Sequence, residues 1–209
     1  MAEKSTLVNC IATLLRVPFM YRLSQLLFGG RSVKKHVFNN YWSSYPGMRI
    51  LDIGCGPAQD RDLLGDDVFW TGLETSEQYV RSVRNSLRPN DSIFHGDVST
   101  LLDLNFTNFD VVLLSGVLHH LSDDLAKTVL SDCIKVLAPN GKIFTIDPVR
   151  MPGASKFEEY LINSDRGKFV RNNEEYDQLI PIAFSQKSIE VVNKVGFLPQ
   201  STRVAIISK

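Results

Sequence analysis

From Met48 onward, short runs rich in β-branched and aliphatic residues alternate with helical stretches. Strict alternation of this kind predicts a parallel sheet wrapped by helices on both faces. The runs are Met48–Ile53, Phe69–Leu73, Ser92–His95, Phe109–Leu114 and Lys142–Ile146. Thr75 or Ser76 can cap a helix through Leu87, and Ser122 can cap a second whose apolar positions Leu125, Val129, Leu130, Cys133, Ile134 and Leu137 lie three and four apart. Asp123 and Asp124 sit at the positive end of its dipole. Pro139-Asn140-Gly141 reads as the turn into the fifth strand. The tail, Lys187–Val195, fits both helical and extended patterns. Its β-branched Ile189, Val191 and Val192, followed by a Gly196–Pro199 loop and the run Arg203–Ser208, favour an antiparallel hairpin at the sheet edge. The expectation is therefore a doubly wound α/β fold of seven strands.

Ahead of this lies a helical extension. Leu7, Cys10, Ile11, Leu14 and Leu15 share one helical face, and Pro18 can open a second helix that stops at Gly29-Gly30. Arg16 interrupts the apolar stretch Leu7–Phe19, and no small-residue cleavage site follows it, so a packed helix pair is expected rather than a leader peptide. At 209 residues the chain suits a single domain, 1–209, with residues 1–45 as a helical cap. No apolar run reaches 18 residues, which argues against stable membrane insertion. With 23 basic and 23 acidic side chains, a broad basic face for nucleic acid is not expected. Cys10, Cys55 and Cys133 fit neither a disulfide framework nor a paired zinc site, so a reducing cytoplasm and no metal are expected.

The chemistry gathers at strand ends. The first strand runs into LDIGCGPAQD (Leu51–Asp60), where Gly54 and Gly56 let the backbone turn sharply and lie against a ligand. A dinucleotide fingerprint would want a small residue where Gln59 stands, which counts against a nicotinamide oxidoreductase. Glu74 ends the second strand, where a carboxylate can accept hydrogen bonds from ribose hydroxyls. Asp97 follows the third strand and can accept from an adenine amine, and Ser115-Gly116 closes the fourth with a small, open backbone. Asp110 stands at the opposite end of the sheet and reads as structural; Cys55, with no basic neighbour in sequence, reads as a small loop residue rather than a nucleophile.

Taken in order, LDIGCG, Glu74, GDV, FDVVLLSGVLHHL and LAPNGKIFTIDP resemble the motifs of the class I S-adenosylmethionine (SAM) methyltransferases over residues 48–148. The resemblance implies a Rossmann-like sheet with a reversed last strand and SAM as cofactor. It implies cofactor contacts from Asp52, Gly54, Cys55, Gly56, Glu74, Thr75, Asp97, Val98, Ser115 and Gly116. His119 and His120, which open the segment after strand four, and Asp147, at the end of strand five, are the candidates for catalysis. The long segment 148–184 reads as an insertion over the active site, with Asp165, Arg166 and Arg171 as candidate ligands of a polar or anionic acceptor. SGVL replaces the N/D-P-P-Y type motif of adenine methylation, and neither a Pro-Cys nucleophile nor a double-glutamate signature is present. A small molecule, or a carbohydrate or lipid precursor, is the expected acceptor; a cofactor-binding protein without catalysis is the alternative.

Overall fold

The computed structural model describes residues 30–164, 167–184, 186–192 and 201–208. The expected helix pair before Gly29, with Tyr21 and Gln25 as possible cofactor contacts, and the Gly196–Pro199 loop lie outside the described residues. Gly30, expected to end a helix, belongs instead to α1 (Gly30–Tyr41), whose buried Val37 and Phe38 pack on the sheet.

One seven-stranded sheet has the order β3-β2-β1-β4-β5-β7-β6, from β1 (Arg49–Ile53), β2 (Phe69–Glu74), β3 (Asp91–His95), β4 (Phe109–Ser115), β5 (Leu137–Pro148), β6 (Gln186–Val192) and β7 (Thr202–Ser208). The first five pair in parallel, and β7 runs antiparallel to both β5 and β6. The tail hairpin is thus present, with β6 at the edge. Strand order reverses between β1 and β4, so their carboxyl ends open a crevice at the switch point.

Between the strands lie α2 (Glu77–Arg84), α3 (Asp123–Val136), α4 (Lys156–Ser164) and α5 (Asn173–Asp177). Ser76 caps α2 by accepting from the Tyr79 amide at 3.4 Å. Ser122 precedes α3 as expected, but its side chain makes no capping bond; the first turn is held through Asp123 instead, as described below. The expected Pro139-Asn140-Gly141 turn is not a separate turn. β5 begins at Leu137, which pairs with Phe109, and the register shifts between Phe109 and Val111, so the three residues form an irregularity inside the strand. A Cβ at Gly141 would stand 2.7 Å from the Phe109 carbonyl, so the pairing requires glycine there.

Two apolar layers cover the sheet. Val112, Leu114, Ile143, Ala205 and Ile207 face Val129, Leu130 and Cys133 of α3 and Tyr176 of α5. Ile50, Val111, Leu113, Phe144 and Val204 face α1 and Val80 and Val83 of α2, with Trp70 fully enclosed. Asp110 accepts from the Arg49 amide at 2.8 Å, at the strand end away from the crevice, a structural role as expected.

Candidate active site

The loop after β1 is fastened to β2 by its own backbone. Gly54 (φ 67°) and Cys55 donate to the Leu73 carbonyl at 2.8 and 3.3 Å, and Gly56 (φ 54°) donates to Glu74 Oε2 at 2.8 Å. A side chain at Gly54 would press on Val117 at 3.0 Å, whereas the space where a Gly56 Cβ would stand is open. Ala58 also adopts a left-handed φ of 54°, a conformation that costs a residue with a Cβ about 1–2 kcal/mol. The bond from its amide to the Cys55 carbonyl, 3.0 Å, helps hold it there. Nothing in the residue type gave this conformation away.

Glu74 is buried. Its Oε1 accepts from the Ser76 amide at 2.7 Å and the Thr75 hydroxyl at 3.3 Å, and with Gly56 on Oε2 three of about four lone-pair sites are taken. One acceptor position therefore remains for a ribose hydroxyl. Thr75 is exposed, and its carbonyl lies 2.9 Å from His95 Nε2, joining the ends of β2 and β3. Asp97 is exposed and accepts from the Ser99 amide at 2.9 Å, starting the 3-10 helix at Val98, which is half-buried.

Asp52, 2% exposed, accepts from Trp70 Nε1 at 3.1 Å. Asp60 stands beside it and is paired with Lys34 of α1 at 2.8 Å. Lys34, Asp52, Gly54, Gly56, Gln59, Asp60 and Ser115 line an open crevice of ≈ 290 Å³. Lys34 and Asp60 carry no motif signal, since their juxtaposition depends on how α1 packs. Burial, and then the charge of Asp60, push the Asp52 carboxyl up to about 8 against the opposing influence of Trp70 and Lys34. Burial and the charges of Asp52 and Glu74 push the Cys55 thiol well up, which agrees with a loop residue and not a nucleophile.

A pH dependence follows. A carboxyl with an ordinary value of 3.8 that titrates at about 8 in the folded chain takes up a proton on folding between those values. Stability therefore falls as pH rises through that window and levels off above it. Asp52→Asn, which can still accept from Trp70, is expected to flatten the fall. Urea unfolding at about pH 5 and about pH 8 checks this, and equal declines in both proteins would remove the assignment.

Across the crevice, Gly116 (φ 75°) turns the chain off β4 and donates to the Ile146 carbonyl at 2.7 Å. Ser115 Oγ is buried without a hydrogen-bond partner among the described residues. A buried polar atom in a crevice wall invites a ligand group, and with the open approach at Gly56 and the remaining position on Glu74 it fits a nucleoside with a polar tail.

His119 and His120 lie in the 3-10 turn Leu118–His120. His119 is buried, and both its amide and its Nδ1 meet Asp147 Oδ1, at 3.2 and 2.8 Å. With Nδ1 donating to a carboxylate, Nε2 is the basic nitrogen. A Cβ at Gly116 would lie 3.6 Å from His119 Cε1, so the ring stands against the crevice wall. Gly167 covers its other edge, where a Cβ would collide with the ring, and the Phe169 amide donates to the His119 carbonyl at 2.9 Å. His120 is exposed, its ring centroid 4.1 Å from that of His119.

Asp165 and Arg166 lie outside the described residues. Arg171, expected to hold an acceptor, is engaged otherwise. Its Nε and Nη2 bind Asp123 Oδ1 at 2.9 and 2.6 Å, Nη1 donates to the Leu118 and Phe169 carbonyls at 3.0 Å each, and Nη2 donates to the Leu121 carbonyl at 2.7 Å. Every guanidinium donor is spent on the protein, so Arg171 fastens the segment before α5 to the histidine turn. Sequence reasoning missed Gly167 and this clamp because the partners lie 48 to 53 residues apart in the chain.

Residues 50–141 match the family model described as a methyltransferase domain. A ubiquinone biosynthesis O-methyltransferase of Idiomarina loihiensis is 29% identical over 116 residues, covering 54% of this chain and 47% of the relative. The chain spans less than half the length of the curated relatives it matches. Among solved structures, a SAM-dependent methyltransferase of Archaeoglobus fulgidus superposes with a TM-score of 0.69 at 17% identity, over 90% of this chain and 99% of that one. The plantazolicin methyltransferase BamL, in complex with a triazolic desmethylPZN analog and SAH, gives a TM-score of 0.64 at 16% identity, over 98% of each chain.

Proposed function

We propose that the chain, whose residues 50–141 match a methyltransferase domain, is a class I methyltransferase with SAM as its cofactor and that it methylates a hydroxyl group of a small-molecule acceptor. The observation that carries the reading is the buried His119–Asp147 pair, 2.8 Å apart, set against Gly116 at the crevice wall. When bound, SAM supplies an electrophilic methyl group, and an aligned nucleophile is the main further requirement. A hydroxyl is a poor nucleophile until it loses its proton, so it is the acceptor for which a held imidazole matters. His119 takes that proton at Nε2, while Asp147 keeps the ring in the required tautomer and stabilises the imidazolium.

The remaining residues hold the cofactor. Glu74 accepts from a ribose hydroxyl, with Thr75 beside it; Asp97 and Val98 border the adenine; Ser115 and the Gly116 backbone meet the amino group; Asp52, Gly54, Cys55 and Gly56 flank the methionine side. His120, exposed beside His119, would touch the acceptor. The balanced charge supports a small acceptor over nucleic acid, and free Cys55 and Cys133 support a reducing, cytoplasmic setting. Among the described residues no helix is long and apolar enough to cross a membrane.

The test is a panel of phenols, catechols, hydroxy acids and sugars, with ethanolamine phosphate as an amine control, assayed for S-adenosylhomocysteine. Turnover on a hydroxyl acceptor is the expected result. Turnover on the amine alone would overturn the hydroxyl reading, and SAM binding without turnover on the whole panel would favour the non-catalytic alternative. In parallel, Glu74→Ala is expected to weaken SAM by about 1.5–3 kcal/mol in calorimetry.

A further inference from the structure

We propose that Arg203 is a positioning residue for the His119–Asp147 pair, its charge keeping the Asp147 side chain turned toward His119 from the neighbouring strand. In the antiparallel β5/β7 pair Asp147 and Arg203 are direct partners, so their side chains leave the sheet on the same face. That face is the one on which Ile143, Val149, Ala205 and Ile207 pack, and the two charged residues are 2% and 3% exposed at its end. Asp147 Oδ1 takes both bonds from His119, and Oδ2 has no partner among the described residues. Arg203 sends Nη2 to Asp177 Oδ1 at 2.6 Å, and its Nε has no partner among them either. Two buried atoms of opposite charge, each without a hydrogen-bond partner among the described residues, thus belong to residues that face each other.

Among the described residues Arg203 is the counter-charge that faces Asp147 across the sheet. The charged and titratable groups around Asp147 among them are His119 and His120 on the turn, Asp123 and Arg171 at the start of α3 and its clamp, Tyr176 and Asp177 of α5, and Arg203 of β7. A base that is to accept a proton must start neutral, so His119 cannot balance Asp147 at rest. Arg171 has given every donor away. Tyr176 lies between, its ring 5.4 Å from Arg203 Cζ and 5.7 Å from Arg171 Cζ, with its hydroxyl on the Pro148 carbonyl at 3.0 Å. Its phenol is pushed up by burial and by the charge of Asp147, against the pull of Arg171 and then of Arg203, so the charges of Asp147 and Arg203 reach one buried group. The result is a line of alternating charge, His119–Asp147–Arg203–Asp177, in which the positive charge of Arg203 opposes the gain of a second positive charge at His119.

This rests on His119 being the base, yet its test needs no acceptor. The ring nitrogens of His119 would be titrated by NMR in the full-length protein. Arg203→Met is expected to raise the His119 midpoint by about one pH unit, Arg203→Lys to restore most of the shift, and Asp177→Asn to lower the midpoint. An unchanged midpoint in folded Arg203→Met, or equal shifts in Met and Lys, would overturn the proposal. Should Arg203→Met fail to fold, the absence of a downward shift in Asp177→Asn would overturn it alone. Failure of the acceptor panel with these shifts present would instead count against the methylation reading.

Discussion

His119→Gln is expected to lower methyl transfer about a hundredfold or more while leaving SAM affinity within about twofold. Glutamine preserves most of the ring's bulk and its amide bond to Asp147, so the turn Leu118–His120 should keep its shape. Lost are the basic Nε2 and the Nδ1 bond that orients it. The split between turnover and cofactor affinity is diagnostic, because His119 stands against Gly116 and bonds to Asp147 of β5 rather than to the loop after β1. Turnover by S-adenosylhomocysteine production and SAM affinity by calorimetry check both halves. His120→Gln is the comparison: its exposed ring has room to rearrange, and a smaller effect is expected. Full activity in both variants would leave alignment of the acceptor as the whole of the mechanism.

Arg171→Met is expected to destabilise the protein by about 1–3 kcal/mol, the cost of leaving buried carbonyls short of a donor, with little added by the loss of the exposed Asp123 as a partner. Arg171 is 5% exposed, and its removal takes a donor from Asp123 and from the carbonyls of Leu118, Leu121 and Phe169, of which Leu118 keeps the Leu121 amide at 3.1 Å. Methionine fills the volume and supplies no hydrogen bond. Urea unfolding should show a lower midpoint with an unchanged slope. Lysine is expected to rescue little, because one ammonium cannot reach acceptors spread around a planar fork. A variant of wild-type stability with a raised KM for the acceptor would reinstate Arg171 as a substrate ligand and sink the clamp.

The contrast between these two residues shows what the chain's order of residues makes legible. The parallel part of the sheet was readable because its strands carry short β-branched or aliphatic runs that end near a glycine or an acidic residue, a pattern that local sterics and burial both favour. The tail hairpin followed the same logic from Ile189, Val191 and Val192. His119 and Asp147 were readable as strand-end residues, though not as partners, since 28 residues separate them. Arg171 looked like a ligand because an arginine in an insertion has the same sequence signature whether it meets a substrate or three carbonyls. The β5 irregularity at Pro139-Asn140-Gly141 was hidden by its turn-like composition, and the left-handed Ala58 by an ordinary residue type. Lys34 and Asp60 meet only because α1 packs beside the β1 loop, which no spacing encodes.

The place of β7 bears on how the chain is made. The seventh strand to emerge from the ribosome lies between the fifth and the sixth, bonded to β5 by pairs from Lys142–Ser208 to Pro148–Thr202 and to β6 by pairs from Gln186–Ser208 to Val192–Thr202. Until it arrives, β5 presents an open row of backbone donors and acceptors flanked by Ile143, Phe144 and Ile146, the kind of edge that recruits strands from other chains. β6, synthesised earlier, has no strand to join, so its docking waits on the insertion of β7. Sheet completion is therefore a late, sequence-distant event in biosynthesis, and the residue facing Asp147 reaches its place only with that event.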